Sequence, residues 1–229
     1  MPLTYFEYGT LAAFRAFARA ALDVVILEVG LGGRLDAVNI VDADVAVVTT
    51  IDLDHMDYLG PTRADIAYEK AGIFRAGRPV VCAEPDPPPT MTEHARAIGA
   101  PFLQIGRDFG YVAEDRQWRY WGPGGDRFGL PVPSLRGAYQ LANAATALAV
   151  VGLLQDRLHV DAGAIRDGSL RSEPPGALPG ASGPARDRAR RRAQSARRAR
   201  ARGYARGHGL LSGKRSPCSA CSPTRMSPA

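Results

Sequence analysis

Glu28 sits inside the apolar run Val24–Val29, where an unpaired carboxylate would be very costly to bury. It is either satisfied by a loop amide or by Arg34, or it is a ligand for a cation. His55 follows a second apolar run, Val45–Ile51, in the company of Asp52, Asp54 and Asp57. A histidine there either caps a loop or joins a cation site, since carboxylate oxygens suit Mg²⁺. Lys70 falls in a stretch of helical periodicity, as a solvated face residue or as a functional amine. Asp36 and Asn39 lie just after Gly30-Leu-Gly-Gly33 and can either bind a ligand or close the turn. The glycine stretch is not a P-loop, because the G-x-x-x-x-G-K-[ST] pattern is absent throughout. Gly209-Leu-Leu-Ser-Gly-Lys214 misses the spacing and is followed by Arg215.

The elements that must position these residues alternate. Leu11, Phe14, Phe17, Ala18 and Ala21 recur at three- and four-residue spacing, which predicts a helix from Thr10 to Ala21. Asp23–Val29 reads as a strand covered on both faces, and Val45–Ile51 as a second. Thr62 and Asp65 form a capping pair for a helix over 62–74, with Gly77 beyond its end. Strands follow at Pro79–Ala83 and Phe102–Ile105, separated by a helix at 90–98. Tyr111–Trp121 alternates as a hairpin would, and Gln140–Leu154 is a long Ala/Leu helix. Strands alternating with helices predict a doubly wound α/β sheet. In such sheets ligands sit beyond the carboxyl ends of the strands, which is where Glu28 and His55 are expected to face one crevice.

Charge divides the chain in two. The net charge is +6, yet the last 59 residues carry 14 Lys and Arg against Glu173 and Asp187, leaving the first 170 at −6. The tail has no Val, Ile, Phe or Trp, so it has little to bury against the entropy of ordering its backbone. Residues 1–170 are therefore expected to form the folded domain, and 171–229 a disordered low-complexity arm. Cys218-x-x-Cys221 lies in that arm without a second pair or an apolar frame, and no zinc or redox site is expected of it. No apolar stretch reaches the ~18 residues that span a bilayer, and Met1 is not followed by a signal-peptide pattern. A monomer in a reducing cytoplasm, with no membrane partner, is the expectation.

Four segments occur in order: Leu3-Thr-Tyr-Phe-Glu-Tyr-Gly-Thr10, Leu27-Glu-Val-Gly-Leu-Gly-Gly-Arg-Leu-Asp-Ala-Val-Asn39, Leu53-Asp-His-Met-Asp-Tyr-Leu-Gly60 and Glu69-Lys-Ala-Gly-Ile-Phe74. Together they resemble the folylpolyglutamate/dihydrofolate synthases, a branch of the Mur ligases, over about residues 2–168. The resemblance implies a partial Mur-ligase central ATPase domain. It implies that Glu28 and His55 bind Mg²⁺, and that Lys70 is carbamylated so that its carbamate oxygens help hold a second ion. It places Thr4, Tyr5, Phe6, Glu7, Leu35, Asp36 and Ala37 around a pterin or pteroate pocket. It gives Asn143, in Gln140-Leu-Ala-Asn143, to the nucleotide, although Tyr139 stands where relatives often have His. The implied activity joins L-glutamate to folate or dihydropteroate at the expense of ATP, through an acyl phosphate.

The same resemblance implies a chain truncated at both ends. The family's phosphate-binding loop lies upstream of the segment matching Leu3, and its C-terminal α/β domain would begin near Leu170. The chain as written is expected to lack ligase activity, and the tail to be an out-of-frame reading of a GC-rich gene. Two other readings compete: a sister Mur ligase acting on cell-wall precursors, and a non-catalytic remnant whose basic arm binds nucleic acid. Thr4–Glu7 favours folate over the first. Against the second, Arg186–Arg206 holds Tyr204 as its single aromatic, poor equipment for stacking on bases, so nucleic acid is not an expected partner.

Overall fold

The computed structural model describes residues 3–52, 56–135, 137 and 139–171. His55, and with it the expectations for the tail beyond Arg171, lie outside the described residues. Within them are six helices, α1 (Tyr5–Arg19), α2 (Met56–Leu59), α3 (Arg63–Ala71), α4 (Pro89–Ile98), α5 (Gln140–Leu153) and α6 (Ala162–Arg171). Six strands accompany them: β1 (Ala46–Val48), β2 (Val80–Cys82), β3 (Phe102–Gln104), β4 (Gly110–Ala113), β5 (Gln117–Trp121) and β6 (Arg127–Pro131).

The first three strands form a parallel sheet in the order β1-β2-β3, with Val47 opposite Val81 and Val81 opposite Leu103. Because successive side chains of a strand face opposite ways, β2 feeds two cores. Val80 and Cys82 pack with Ile66, Ala67 and Ala71 of α3 and with Met91 and Ala95 of α4. Val81 points the other way, into a cluster with Phe109, Trp118, Tyr120, Leu130 and the α5 residues Ala145, Leu148 and Ala149. Helices thus cover both faces of the parallel sheet, the doubly wound α/β arrangement the alternation predicts.

The second core is closed by an antiparallel sheet, β4-β5-β6. The expected hairpin is its first two strands; β6 and α6 are additions that the sequence pattern does not single out. Trp118 and Tyr120 are fully buried, and each satisfies its polar atom on a carbonyl: Trp118 Nε1 donates to Pro131 O at 2.9 Å and Tyr120 Oη to Pro123 O at 3.0 Å. α3 has the capping box expected of Thr62 and Asp65.

Two expectations fail. Residues 23–29 form no strand: a strand persists through ladder bonds to a neighbour, and these residues pair with none. Val24, Val25 and Ile26 are exposed, Ile26 to 90%, and Glu28 is exposed with them. Glu28 is therefore neither a buried carboxylate nor the end residue of a sheet strand. The second correction is the start of α1, which begins at Tyr5 instead of Thr10. Thr4 is its N-cap: Thr4 Oγ1 accepts from Glu7 N at 3.2 Å while Glu7 Oε2 accepts from Thr4 N at 2.8 Å. Among the described residues no helix is long and apolar enough to cross a membrane.

Cys82 reports on the integrity of the first core. Burial pushes its thiol up from 9.0 to about 11. The unfolded chain therefore releases this proton first as the pH rises, so the stability tied to the protonated thiol is complete below pH 9.0 and is lost towards about pH 11. Urea denaturation should show a steeper fall across that window in the native chain than in Cys82→Ala. Identical slopes would show that the thiol is not protected by the fold.

Candidate functional site

The glycine-rich turn is docked on the C-terminal half of α3. Gly32 adopts φ 71°, a left-handed conformation that glycine takes without strain, and a Cβ there would meet Leu59 Cδ2 at 2.9 Å. Arg34 N donates to Glu69 O at 2.9 Å, and the Arg34 guanidinium donates to Glu69 Oε1 at 2.9 and 3.1 Å while lying over the Tyr68 ring. That ion pair is partly exposed and screened by solvent, so it contributes little to stability. The backbone and side-chain hydrogen bonds around it do more to fix the register. Asn39 Nδ2 donates to both Arg34 O and Gly72 O at 3.1 Å, and Arg75 Nη2 donates to Asn39 O at 2.7 Å and Oδ1 at 3.0 Å. Arg75 also pairs with Asp42.

Asp36 closes the turn from within. Its Oδ2 accepts from Gly30 N at 3.0 Å and its Oδ1 from Val38 N at 2.9 Å, capping the short 3₁₀ turn Ala37–Ile40. Of the two roles open to Asp36 and Asn39, turn closure is the one their hydrogen bonds perform.

Two cavities flank this turn. The larger, about 400 Å³, is lined by Thr4, Phe6, Glu7, Leu35, Asp36 and Ala37, together with Tyr58 and Glu69. Six of the seven residues nominated for a pterin pocket thus meet around one space; Tyr5, 94% exposed, is the exception and points elsewhere. Three carboxylates edge the cavity. Hydrogen bonds from the Thr4 backbone and side chain hold the Glu7 carboxyl below its usual value, and Glu69 is paired with Arg34.

The smaller cavity, about 250 Å³, is lined by Val29–Gly32, Thr50, Asp52, Ile66 and Lys70. Leu31 and Leu59 belong to both linings and form the partition between the two spaces. Glu69 and Lys70, neighbours on α3, reach one cavity each.

The expected trio of Glu28, His55 and Lys70 is not assembled among the described residues. Glu28 is one residue short of the smaller cavity's wall, His55 is not described, and no group of three or more His, Cys, Asp or Glu that could hold a metal is present among the described residues. What does line the smaller cavity together with Lys70 is Asp52 and Thr50. Oxygen donors of this kind fit a hard cation such as Mg²⁺, whereas an ammonium repels one, so Lys70 would join only as an oxygen-bearing derivative such as a carbamate. Asn143 lies on the exposed side of α5, donates to Gln140 Oε1 at 3.3 Å, and lines neither cavity.

Sequence reasoning passed over Glu84, the one described carboxylate that is buried, together with its partner Arg63. The signal was available: Glu84 follows the apolar run Pro79–Ala83 as directly as Asp52 follows Val45–Ile51.

A profile of the Mur ligase middle domain matches residues 3–151. The dihydrofolate synthase/folylpolyglutamate synthase of Escherichia coli (strain K12) is 51% identical over 174 residues, covering 76% of this chain and 40% of the relative. The structure of E. coli FolC in complex with DHPP and ADP superposes with a TM-score of 0.69 at 50% identity, over 76% of this chain and 41% of that one. A bifunctional folylpolyglutamate synthase/dihydrofolate synthase with Mn, AMPPNP and L-glutamate bound gives a TM-score of 0.68 at 48% identity, over 76% and 41%. The chain thus spans about two fifths of the length of these relatives.

The fit of the turn on α3 leaves no room at Gly72, where a Cβ would collide with the Arg34 side chain and approach Arg34 Cα to 2.6 Å. Gly72→Ala should cost about 1–3 kcal/mol in urea denaturation, since the backbone at Arg34 has to move. Gly9→Ala, in the open interior of α1 with nothing within 4 Å, should instead stabilise by up to about 1 kcal/mol. Equal effects at the two positions would contradict the docking.

Proposed function

We propose that this chain, which belongs to the Mur ligase family, serves an ATP-dependent amide ligation that joins L-glutamate to the carboxylate of a folate or dihydropteroate. The observation that carries the reading is the larger cavity, whose walls bring together residues from four separated segments around a space of about 400 Å³. That volume suits a flat heteroaromatic ligand. Relatives that superpose on the chain hold DHPP with ADP in one case, and AMPPNP, Mn and L-glutamate in another.

In this reading the two cavities divide the labour. The larger holds the acceptor: Phe6, Leu35 and Ala37 supply apolar surface, and the carboxylates of Glu7, Asp36 and Glu69 accept hydrogen bonds from ring N–H groups. Acceptor and phosphate sites lie on either side of the Leu31–Leu59 partition, so a carboxylate reaching past that partition would meet the γ-phosphoryl group of ATP. Orienting those two groups is the protein's main contribution to forming the acyl phosphate, which the amine of glutamate then attacks with loss of phosphate. Glu28, His55 and carbamylated Lys70 would hold Mg²⁺, with Asp52 and Thr50 beside Lys70 and with Asn143 meeting the nucleotide. When bound, the ion neutralises charge that develops during phosphoryl transfer. A soluble cytoplasmic monomer accords with these substrates.

Isothermal titration of the chain with dihydropteroate tests the acceptor site directly. Saturable binding is expected, weakened roughly tenfold by Phe6→Ala, a loss of about 1.4 kcal/mol. Ala37→Trp should abolish it by filling the cavity while leaving the circular dichroism spectrum unchanged. No saturable binding, or undiminished binding by Ala37→Trp, would refute the assignment; preferential binding of a cell-wall precursor would redirect it to a sister ligase.

A further inference from the structure

Glu84 follows β2 at the carboxyl end of the parallel sheet and is 9% exposed. Each of its oxygens is engaged. Oε2 accepts from Ile51 N at 2.9 Å, and Oε1 accepts from Asp86 N at 3.2 Å and faces Arg63 Nη2 at 3.3 Å. Arg63, the first residue of α3, turns back on the same segment: its Nε donates to Ile51 O at 3.3 Å and its Nη2 to Asp86 O at 3.1 Å. Both backbone polar groups of Ile51 are thus held, the N–H by Glu84 and the carbonyl by Arg63. The Ile51 side chain is sunk in the first core at 4% exposure.

A residue fixed at its N–H, its carbonyl and its side chain has almost no freedom left. The two residues beside it are each tethered at one end by the same restraints. Those residues are Thr50 and Asp52, the polar pair that lines the smaller cavity beside Lys70. The position of the cavity's oxygen donors is therefore set by a clamp that does not itself touch the cavity.

We propose that Glu84, with Arg63, is a positioning residue for this site, holding Ile51 so that Thr50 and Asp52 are presented to a divalent cation and the phosphates it accompanies. The inference rests on the reading of the smaller cavity as the phosphate side of the ligase. A carboxylate suits the task better than an amide. Its two oxygens can accept from two backbone N–H groups and offset the Arg63 charge at once, and hydrogen bonds to a charged acceptor are stronger than those to a neutral one. Glutamine would keep an acceptor for Ile51 N but leave Arg63 facing a neutral group.

The test uses the full chain and two readouts, amide hydrogen exchange and Mn²⁺ binding in the presence of ATP followed by electron paramagnetic resonance. In Glu84→Ala the Ile51 amide should exchange about 100-fold faster through local opening while the amides of Val81 and Ala149 keep their protection. Mn²⁺ affinity should fall roughly 10-fold or more, the usual consequence of losing a group that orients a ligand-bearing segment. Glu84→Gln should lie between the two, and it carries the test if Glu84→Ala does not fold. Unchanged exchange at Ile51, or a rise shared by Val81 and Ala149, would overturn the clamp. Local opening that leaves Mn²⁺ affinity intact would overturn the positioning role alone. Absence of Mn²⁺ binding in the unsubstituted chain would instead refute the metal reading of the cavity.

Discussion

Everything the structure positions depends on β2, a three-residue strand with no exposed face. Val80, Val81 and Cys82 are fully buried, and alternation commits the first and third to one core and the second to the other. Burying a valine side chain is worth about 1.5–3 kcal/mol, but the larger consequence is geometric. A strand packed on both faces cannot shift register without moving apolar groups of both cores into the wrong layer. Its neighbours inherit that rigidity through ladder bonds, and the carboxyl ends of β1 and β2 come to rest side by side. Thr50, Asp52 and Glu84 are placed by this fact before any of them makes a polar contact.

From that edge the site assembles by two different kinds of restraint. On the β1 side it is a charge network anchored on the buried Glu84, which engages the half-exposed Arg63 and the Ile51 peptide groups. On the α3 side it is steric: Gly72 lets the Arg34 backbone approach the helix, and Gly32 lets Leu59 approach the turn. The hydrogen bonds of Asn39 and Arg75 then lock a contact that the missing side chains permit. A steric fit and a polar lock fail independently, so the turn can lose its ion pair with Glu69 and still be held at Gly72.

The sequence made the topology legible where apolar periodicity was strong. α4, α5, β2, β3 and the first two strands of the second sheet follow from pattern alone, because each buries a continuous face and pattern reports burial. β6 escaped notice since Arg127–Pro131 contains Gly129 and Pro131 and has little alternation to show. Asp23–Val29 misled for the converse reason. Its composition is that of a buried strand, but composition states what a segment can bury, while the ladder partner that makes it a strand is a property of the rest of the structure. Glu28 was read as a buried carboxylate by the same inference, and Glu84 was overlooked although its setting after an apolar run was equally plain. The physical difference between the two is partnership: Glu84 has a cation and two backbone N–H groups to offset its desolvation, and Glu28 has none among the described residues. The larger cavity was the most legible part of the candidate site. Motif resemblance nominated residues 33 positions apart, and the fold brought them to one cavity.

That convergence has a structural economy in which single residues serve both fold and site. Thr4 and Glu7 cap α1 reciprocally and also wall the larger cavity; Asp36 ties the glycine turn with both oxygens and faces the same space. Their orientation is fixed by these hydrogen bonds within the fold itself, so the cavity's polar wall is preformed. The same economy links the two cavities. Glu69 and Lys70 are held on one helical turn, and Leu31 and Leu59 divide the spaces they line. A displacement of α3 relative to the glycine turn would therefore alter both cavities together, and the contact at Gly72 is what opposes it. A shared partition therefore ties the shapes of the two cavities to each other, which two independently built cavities would not do.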